Sequence, residues 1–250
     1  MISIKSPREI DIMDEAGTIV ALVHKKMKEV IRPGISTLEL DRIAEKVIRD
    51  NGATPSFKNY QGFPASVCTS INDMLVHGIP DHTVLKDGDI ITVDVGACYK
   101  GYHGDSAWSY TVGNVTDPKT LDLLKVTEES LYIGLAQAKP GNRIGDIAYA
   151  IQSYVEKHGY SLPIEYTGHG IGKHVHEDPA VPNVGLPHTL QVLKKGMCIA
   201  VEPMVFMGRP HCYTLKDGWG VKSRDHSLAA HYEHTIAIVD DGYRILTKEG

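Results

Sequence analysis

The chain repeats itself, and the repeat limits the folds open to it. Val84-Leu85-Lys86-Asp87-Gly88 leads through Ile90-Ile91-Thr92-Val93 to Asp94. Val192-Leu193-Lys194-Lys195-Gly196 leads through Cys198-Ile199-Ala200-Val201 to Glu202 over the same interval. Pro33-Gly34 opens a helical stretch ending at Gly52, and Pro140-Gly141 opens another ending at Gly159, again at equal spacing. His77-Gly78-Ile79 is answered by His169-Gly170-Ile171. Two related halves are therefore offset by roughly a hundred residues. Length alone, 250 residues, would allow one domain or two. The interleaved repeat favours one, 1–250, with halves of roughly 1–115 and 116–250, because either half alone would leave an open sheet face. The simplest arrangement is a pseudo-two-fold one, with acidic residues at matching strand ends facing each other.

The run Ile90-Ile91-Thr92-Val93-Asp94-Val95-Gly96 reads as a buried strand that delivers Asp94 at its end. The chain turns near Tyr99-Lys100-Gly101 and returns with Gly104-Asp105-Ser106. Side chains on one face of an antiparallel hairpin lie within a few ångströms of each other. Taken alone, the two aspartates are either solvated at a hairpin rim or buried and neutralised by a cation. The second half supplies Glu202 and, in His231-Tyr232-Glu233-His234-Thr235, Glu233. Four carboxylates are then aimed at one place.

Ser6-Pro7-Arg8-Glu9 and Ser36-Thr37-Leu38-Glu39 have the form of capping boxes. They predict helices ending before Pro33 and near Gly52. A third helix starts at Asp117-Pro118 and runs to about Lys139, and a fourth spans about 144–158. Residues 55–70 look irregular, with strands expected over 66–71, 89–96, 102–112, 164–170, 197–204 and 230–247. Helices followed by strands, twice, make an α+β fold with helices covering an antiparallel sheet. A hydrophobic fraction of 42% supports a sizeable core. A net charge of -5 with scattered basic residues gives no direct nucleic-acid motif. No apolar run approaches the ~18–20 residues of a membrane span. The start, Met1-Ile2-Ser3-Ile4-Lys5, has no signal-peptide apolar region. Cys68, Cys98, Cys198 and Cys212 lack C-x-x-C spacing and are expected as free thiols in the cytoplasm.

Of 13 histidines, His24, His82, His158, His188, His211 and His226 belong to no constellation. His103, His174, His231 and His234 neighbour site residues in sequence, which carries little weight. His169, set between Gly168 and Gly170, stands apart, as do His176 in His176-Glu177-Asp178-Pro179 and His77 in His77-Gly78-Ile79-Pro80. Neutral imidazole is the usual companion of carboxylates around first-row metals.

Several motifs together resemble those of the methionine aminopeptidases. They are Ile91-Thr92-Val93-Asp94-Val95-Gly96, Gly104-Asp105, Gly168-His169-Gly170-Ile171-Gly172, His176-Glu177-Asp178-Pro179, Val201-Glu202-Pro203-Met204 and Tyr232-Glu233-His234-Thr235. His77-Gly78-Ile79-Pro80-Asp81 and Asp217-Gly218-Trp219 match too, and the resemblance covers essentially the whole chain. With no N-terminal extension and no helical insertion before Glu202, the chain is most similar to the type I bacterial form. The resemblance implies a pita-bread sandwich of two pseudo-two-fold halves and removal of the N-terminal methionine of nascent polypeptides with a small second residue.

It also implies a site. Asp94, Asp105, His169, Glu202 and Glu233 would hold two divalent ions, drawn from Co2+, Mn2+, Fe2+ or Zn2+, with Asp105 and Glu233 bridging. A water shared by the ions would attack the scissile carbonyl. Glu202 would be the general base, His176 would donate to the carbonyl oxygen, and His77 would contact the scissile nitrogen. Tyr60, Phe63, Cys68 and Trp219 would receive the methionine side chain. Phe57 and Val175 depart from the family pattern beside that pocket. Ala229 replaces a serine that helps hold a monovalent cation in some relatives, so that site stays open. A monomer with transient ribosome association is expected. The rival readings are an X-Pro exopeptidase of the same fold, which usually carries a large N-terminal domain, and a non-catalytic binding homologue, which would lack metal ligands.

Overall fold

The structure, a computed structural model, describes residues 2–248; Met1, Glu249 and Gly250 lie outside the described residues. Two helices come first, α1 (Pro7–Val30) and α2 (Thr37–Asp50). Short strands β1 (Thr54–Pro55), β2 (Val67–Ile71) and β3 (Met74–Val76) follow, then the long hairpin β4 (Ile90–Tyr99) and β5 (Tyr102–Thr111). The second half opens with α3 (Pro118–Leu135) and α4 (Ile144–Lys157). Strands β6 (Thr167–Gly170), β7 (Glu177–Pro182), β8 (Cys198–Val201), β9 (Met204–Phe206), β10 (Cys212–Thr214), β11 (Val221–Ser223), β12 (Ala229–His231), β13 (His234–Val239) and β14 (Gly242–Ile245) complete it. Every strand pair is antiparallel.

The expected caps form. The backbone N–H of Glu9 donates to the Ser6 hydroxyl and the Glu9 carboxylate accepts from Ser6 N; Ser36 and Glu39 repeat the exchange. Gly52 supplies the positive φ, 75°, that ends α2. The third helix stops four residues short of the expected Lys139. Gln137 N–H and Ala138 N–H instead bond three residues back, to Gly134 and Leu135. Pro140 explains this, because the residue before a proline is pushed out of the helical region.

Alternation along the strands sorts the two faces. Ile91, Val93, Val95 and Ala97 of β4 pack with α1 and α2 residues such as Val20, Met27 and Leu40. Ile199 and Val201 of β8 pack with Leu131, Ile147 and Ile151 from α3 and α4. Thr92, Asp94 and Gly96, and likewise Ala200 and Glu202, take the opposite parity, away from the helices.

The halves correspond in detail. Ser36 bridges Val84 at the start of α2, and Arg143 bridges Val192 at the start of α4. Gly34 N–H donates to Leu85 O at 2.9 Å, and Gly141 N–H to Leu193 O at 3.0 Å. β5 joins them: Asp105 N–H donates to Thr235 Oγ1 (3.0 Å), Thr235 Oγ1 to Asp105 O (2.8 Å), and Glu233 N–H to Ala107 O (2.9 Å). The main chains of Asp105 and Glu233 are thus held by bonds that cross between the halves.

Candidate metal centre

Asp94 is not at a strand end as expected. β4 runs on to Tyr99, and Asp94 sits mid-ladder opposite Ala107, while Asp105 lies opposite Gly96. The aspartates are therefore diagonal neighbours on one face. Lys100 (φ 48°) and Gly101 (φ 81°) close the hairpin in the doubly left-handed turn that matches strand twist. Glu202 and Glu233 arise differently. β8 ends at Val201 opposite His234, and β9 restarts at Met204 opposite His231. The single strand expected over 197–204 is broken there, since Pro203 has no N–H for a ladder. Glu202-Pro203 and Tyr232-Glu233 face each other across the gap, freeing both glutamates to turn inward.

His169 comes from a bulge. It pairs with Ala180, but Gly170 pairs with Glu177, leaving Asp178-Pro179 looped out. A Cβ at Gly170 would run into the carbonyl of Asp178, so glycine is required beside the histidine. Nδ1 of His169 lies 2.9 Å from Gly170 O, which makes Nδ1 the N–H and leaves the Nε2 lone pair facing the acids. Nε2 is 3.7 Å from Asp105 Oδ2 and 3.5 Å from Glu202 Oε1.

These side chains line one cavity of about 300 Å³. Ligand-capable atoms of Asp105, His169 and Glu233 lie within 4.8 Å of one another, as do those of Glu202, His231 and Glu233. Asp94 lines the cavity without joining either group. His231 is the surprise. The sequence reading set it aside, yet its buried ring projects into the cluster. The signal was its i, i+2 spacing to Glu233, which a strand would place on the same face.

Burial dominates the electrostatics. It pushes Asp94 up to about 6, and Asp105, Glu202 and Glu233 well above the carboxylate range, with neighbouring acids adding to the rise at all but Glu202. Burial holds His169 down at about 3 and His77 and His231 at about 4. Asp94 Oδ1, Asp105 Oδ1, Glu233 Oε1 and both His231 nitrogens are buried without a hydrogen-bond partner. Among the described residues, no lysine or arginine lines the cavity. Four acids, three of them with an orphaned oxygen, and no protein cation form a donor set that fits divalent metal.

The flanking residues gather where the sequence suggested. Phe57, Phe63, Cys68 and Val175 form an apolar cluster with Tyr60 and Trp219 against it. Phe63 meets Trp219 edge-on at 5.1 Å. The two departures from the family pattern, Phe57 and Val175, belong to this cluster, and Phe57 also lines the cavity. The Tyr60 hydroxyl lies 2.9 Å from His176 Nδ1, directing the other ring nitrogen elsewhere. His77 holds φ 60°, a strained value for a residue other than glycine, between the rings of Tyr166 and Trp219.

The sequence pattern of metallopeptidase family M24 matches residues 11–240. Methionine aminopeptidase 1 of Bacillus subtilis is 56% identical over 248 residues, covering 99% of this chain and 100% of that protein. The chain belongs to metallopeptidase family M24 and, within it, to the bacterial methionine aminopeptidases. The crystal structure of the methionine aminopeptidase from Thermotoga maritima superposes with a TM-score of 0.98 at 43% identity, covering 100% of both chains. The methionine aminopeptidase fold, pita-bread sandwich included, is thus that of this chain. The prolidase from Pyrococcus horikoshii gives a TM-score of 0.80 at 26% identity, covering 99% of this chain but 64% of that one. Metal dependence is the property M24 members share by description, and the acid cluster lies inside the matched region. Among the described residues no helix is long and apolar enough to cross a membrane.

Proposed function

We propose that this chain is a dinuclear metal-dependent aminopeptidase that removes the N-terminal methionine from nascent polypeptides whose second residue is small. One observation carries the reading: four acids, three buried and Asp94 half-buried, converge with His169 on a cavity with no protein cation, beside an apolar wall. Asp94, Asp105, His169, Glu202 and Glu233 would hold two divalent ions, Co2+, Mn2+, Fe2+ or Zn2+. When bound, such ions polarise the scissile carbonyl and lower the pKa of water toward neutrality. Glu202 takes the proton of the attacking water and passes it to the leaving amine. His176, steadied at Nδ1 by Tyr60, donates from Nε2 to the carbonyl oxygen as it gains charge. His77 contacts the scissile nitrogen from its strained loop. Phe63, Cys68, Trp219 and Tyr60 take the methionine side chain.

The two halves act as one catalytic unit, since each contributes two of the acids. Four free thiols, Cys68, Cys98, Cys198 and Cys212, fit a reducing cytoplasm, where a monomer would meet nascent chains in transient contact with the ribosome. The residue after methionine must pass the His169 bulge and His77. A large side chain there would overpack by ~1–3 kcal/mol, roughly 5- to 150-fold in rate. The test is methionine release from Met-Ala, Met-Leu and Ala-Pro peptides. Metal-loaded protein should cleave Met-Ala, cleave Met-Leu at least ~5-fold less well and leave Ala-Pro intact. Equal kcat/KM for the two Met peptides, preference for Ala-Pro, or full activity after chelation would refute the reading.

A further inference from the structure

His231 is 1% exposed, and neither of its ring nitrogens has a hydrogen-bond partner. Nε2 lies 3.5 Å from Glu202 Oε2 and 3.8 Å from Glu233 Oε2. Glu202 thus stands between two imidazoles, with Oε1 toward His169 and Oε2 toward His231. The two rings are held differently. His169 has its Nδ1–H fixed on Gly170 O, as a ring must be to present a lone pair to an ion. His231 Nδ1 has no such anchor. A neutral imidazole carries one N–H, a buried N–H needs an acceptor, and the acceptors facing Nε2 are carboxylate oxygens.

The main chain of His231 is pinned from the other half of the molecule. His231 N–H donates to Ser109 Oγ at 3.1 Å, and that hydroxyl donates to His231 O at 3.0 Å. Thr92 Oγ1, 2.7 Å from Ser109 Oγ, completes the chain. With the main chain held, the ring presents Nε2 to Glu202 Oε2 at 3.5 Å, its nearest carboxylate oxygen.

We infer that His231 is a positioning residue for Glu202. Its Nε2–H is donated to Glu202 Oε2 and fixes the rotation of the carboxylate, so that Oε1 stays turned toward His169 and the reacting water. The inference rests on the proposed function, in which Glu202 is the base. It adds a residue that serves the reaction through Glu202 and is not itself a ligand.

The experiment compares His231→Leu, which removes the donor, with His231→Gln, which restores an N–H at similar reach. His231→Asn, polar but too short to reach Oε2, is the second variant should the leucine protein not fold. His231→Leu and His231→Asn should lower kcat 10–100-fold, on the order of a lost outer-shell contact, with KM little changed. His231→Gln should recover most of the rate. Calorimetric titration of the metal-stripped proteins with Co2+ should give the same number of ions, and the visible spectrum of bound Co2+, which reports its ligands, should not change. Wild-type kcat in His231→Leu, a glutamine variant as slow as the leucine one, or loss of a bound ion with an altered Co2+ spectrum overturns the inference. If wild type binds Co2+ and releases methionine while His231→Leu matches it, only the inference fails. If wild type does neither, the proposed function falls with it.

Discussion

Removing an acid from this site should make the metal-free protein more stable. Asp94 is the clearest case, since burial lifts its carboxyl from the ordinary 3.8 to about 6. The folded chain binds this proton more tightly than the unfolded chain does. Stability from that difference is fully present below pH 3.8 and is lost as pH rises through 6. At ~1.36 kcal/mol per pKa unit the loss is about 3 kcal/mol. Asp94→Asn has nearly the same shape and no charge to bury, so the loss does not occur. In chelator at pH 7.5 the variant should exceed wild type by about 3 kcal/mol, or about 6–12 °C in Tm for a chain of this size. At pH 4 the two should be nearly equal. Comparing the two proteins also removes the opposing contribution of buried histidines such as His24, whose lowered pKa disfavours the fold in acid. Urea unfolding at both pH values, with chelator present, is the assay. A variant no more stable than wild type at pH 7.5, or an advantage equal at both pH values, would refute the account of a buried acid awaiting a cation. Added divalent metal should reverse the order, because it neutralises Asp94 and has less to hold in the variant.

Glu202→Gln should lower kcat by at least ~10², the low end for losing a general base, and weaken metal binding. Near wild-type turnover at full metal content would remove Glu202 from the chemistry. His176→Ala should lower kcat more than it raises KM while metal content, read by atomic absorption, stays normal; metal loss would make it a ligand instead. Tyr60→Phe keeps the ring against the apolar wall but releases His176 Nδ1, so steady-state kinetics should show kcat falling with KM for methionyl peptides nearly unchanged.

What the sequence showed was local or repeated. Ser6 with Glu9 and Ser36 with Glu39 are complete signals within four residues, and the helices begin where they say. The echo of Asp94 in Glu202 needed only counting, and the acids do converge. Other features depend on partners far along the chain. β4 continues past Gly96 because Ala97 and Cys98 pair with Pro55 and Thr54 on one side and with Gly104 and His103 on the other. β10 and β11 are three residues each, too short for a period to show, and exist by pairing, β10 with β11 and β11 with β3. The break at Glu202-Pro203 was half legible, since proline forbids a ladder bond, but the matching gap at Tyr232-Glu233 was not. His231 was the costliest omission. Ser109, distant in sequence, sets its backbone, and beside it in the chain only the i, i+2 spacing to Glu233 hinted at where the ring points.

The central claim is that the acid cluster is a centre for two ions. Anomalous scattering from crystals equilibrated with millimolar Co2+ tests it most directly, because it gives the number, place and identity of the ions together. The account predicts two peaks inside the cavity, both touching Asp105 and Glu233, one reaching Asp94 and the other His169 and Glu202. A single peak at that concentration, none, or peaks held by other residues would contradict it.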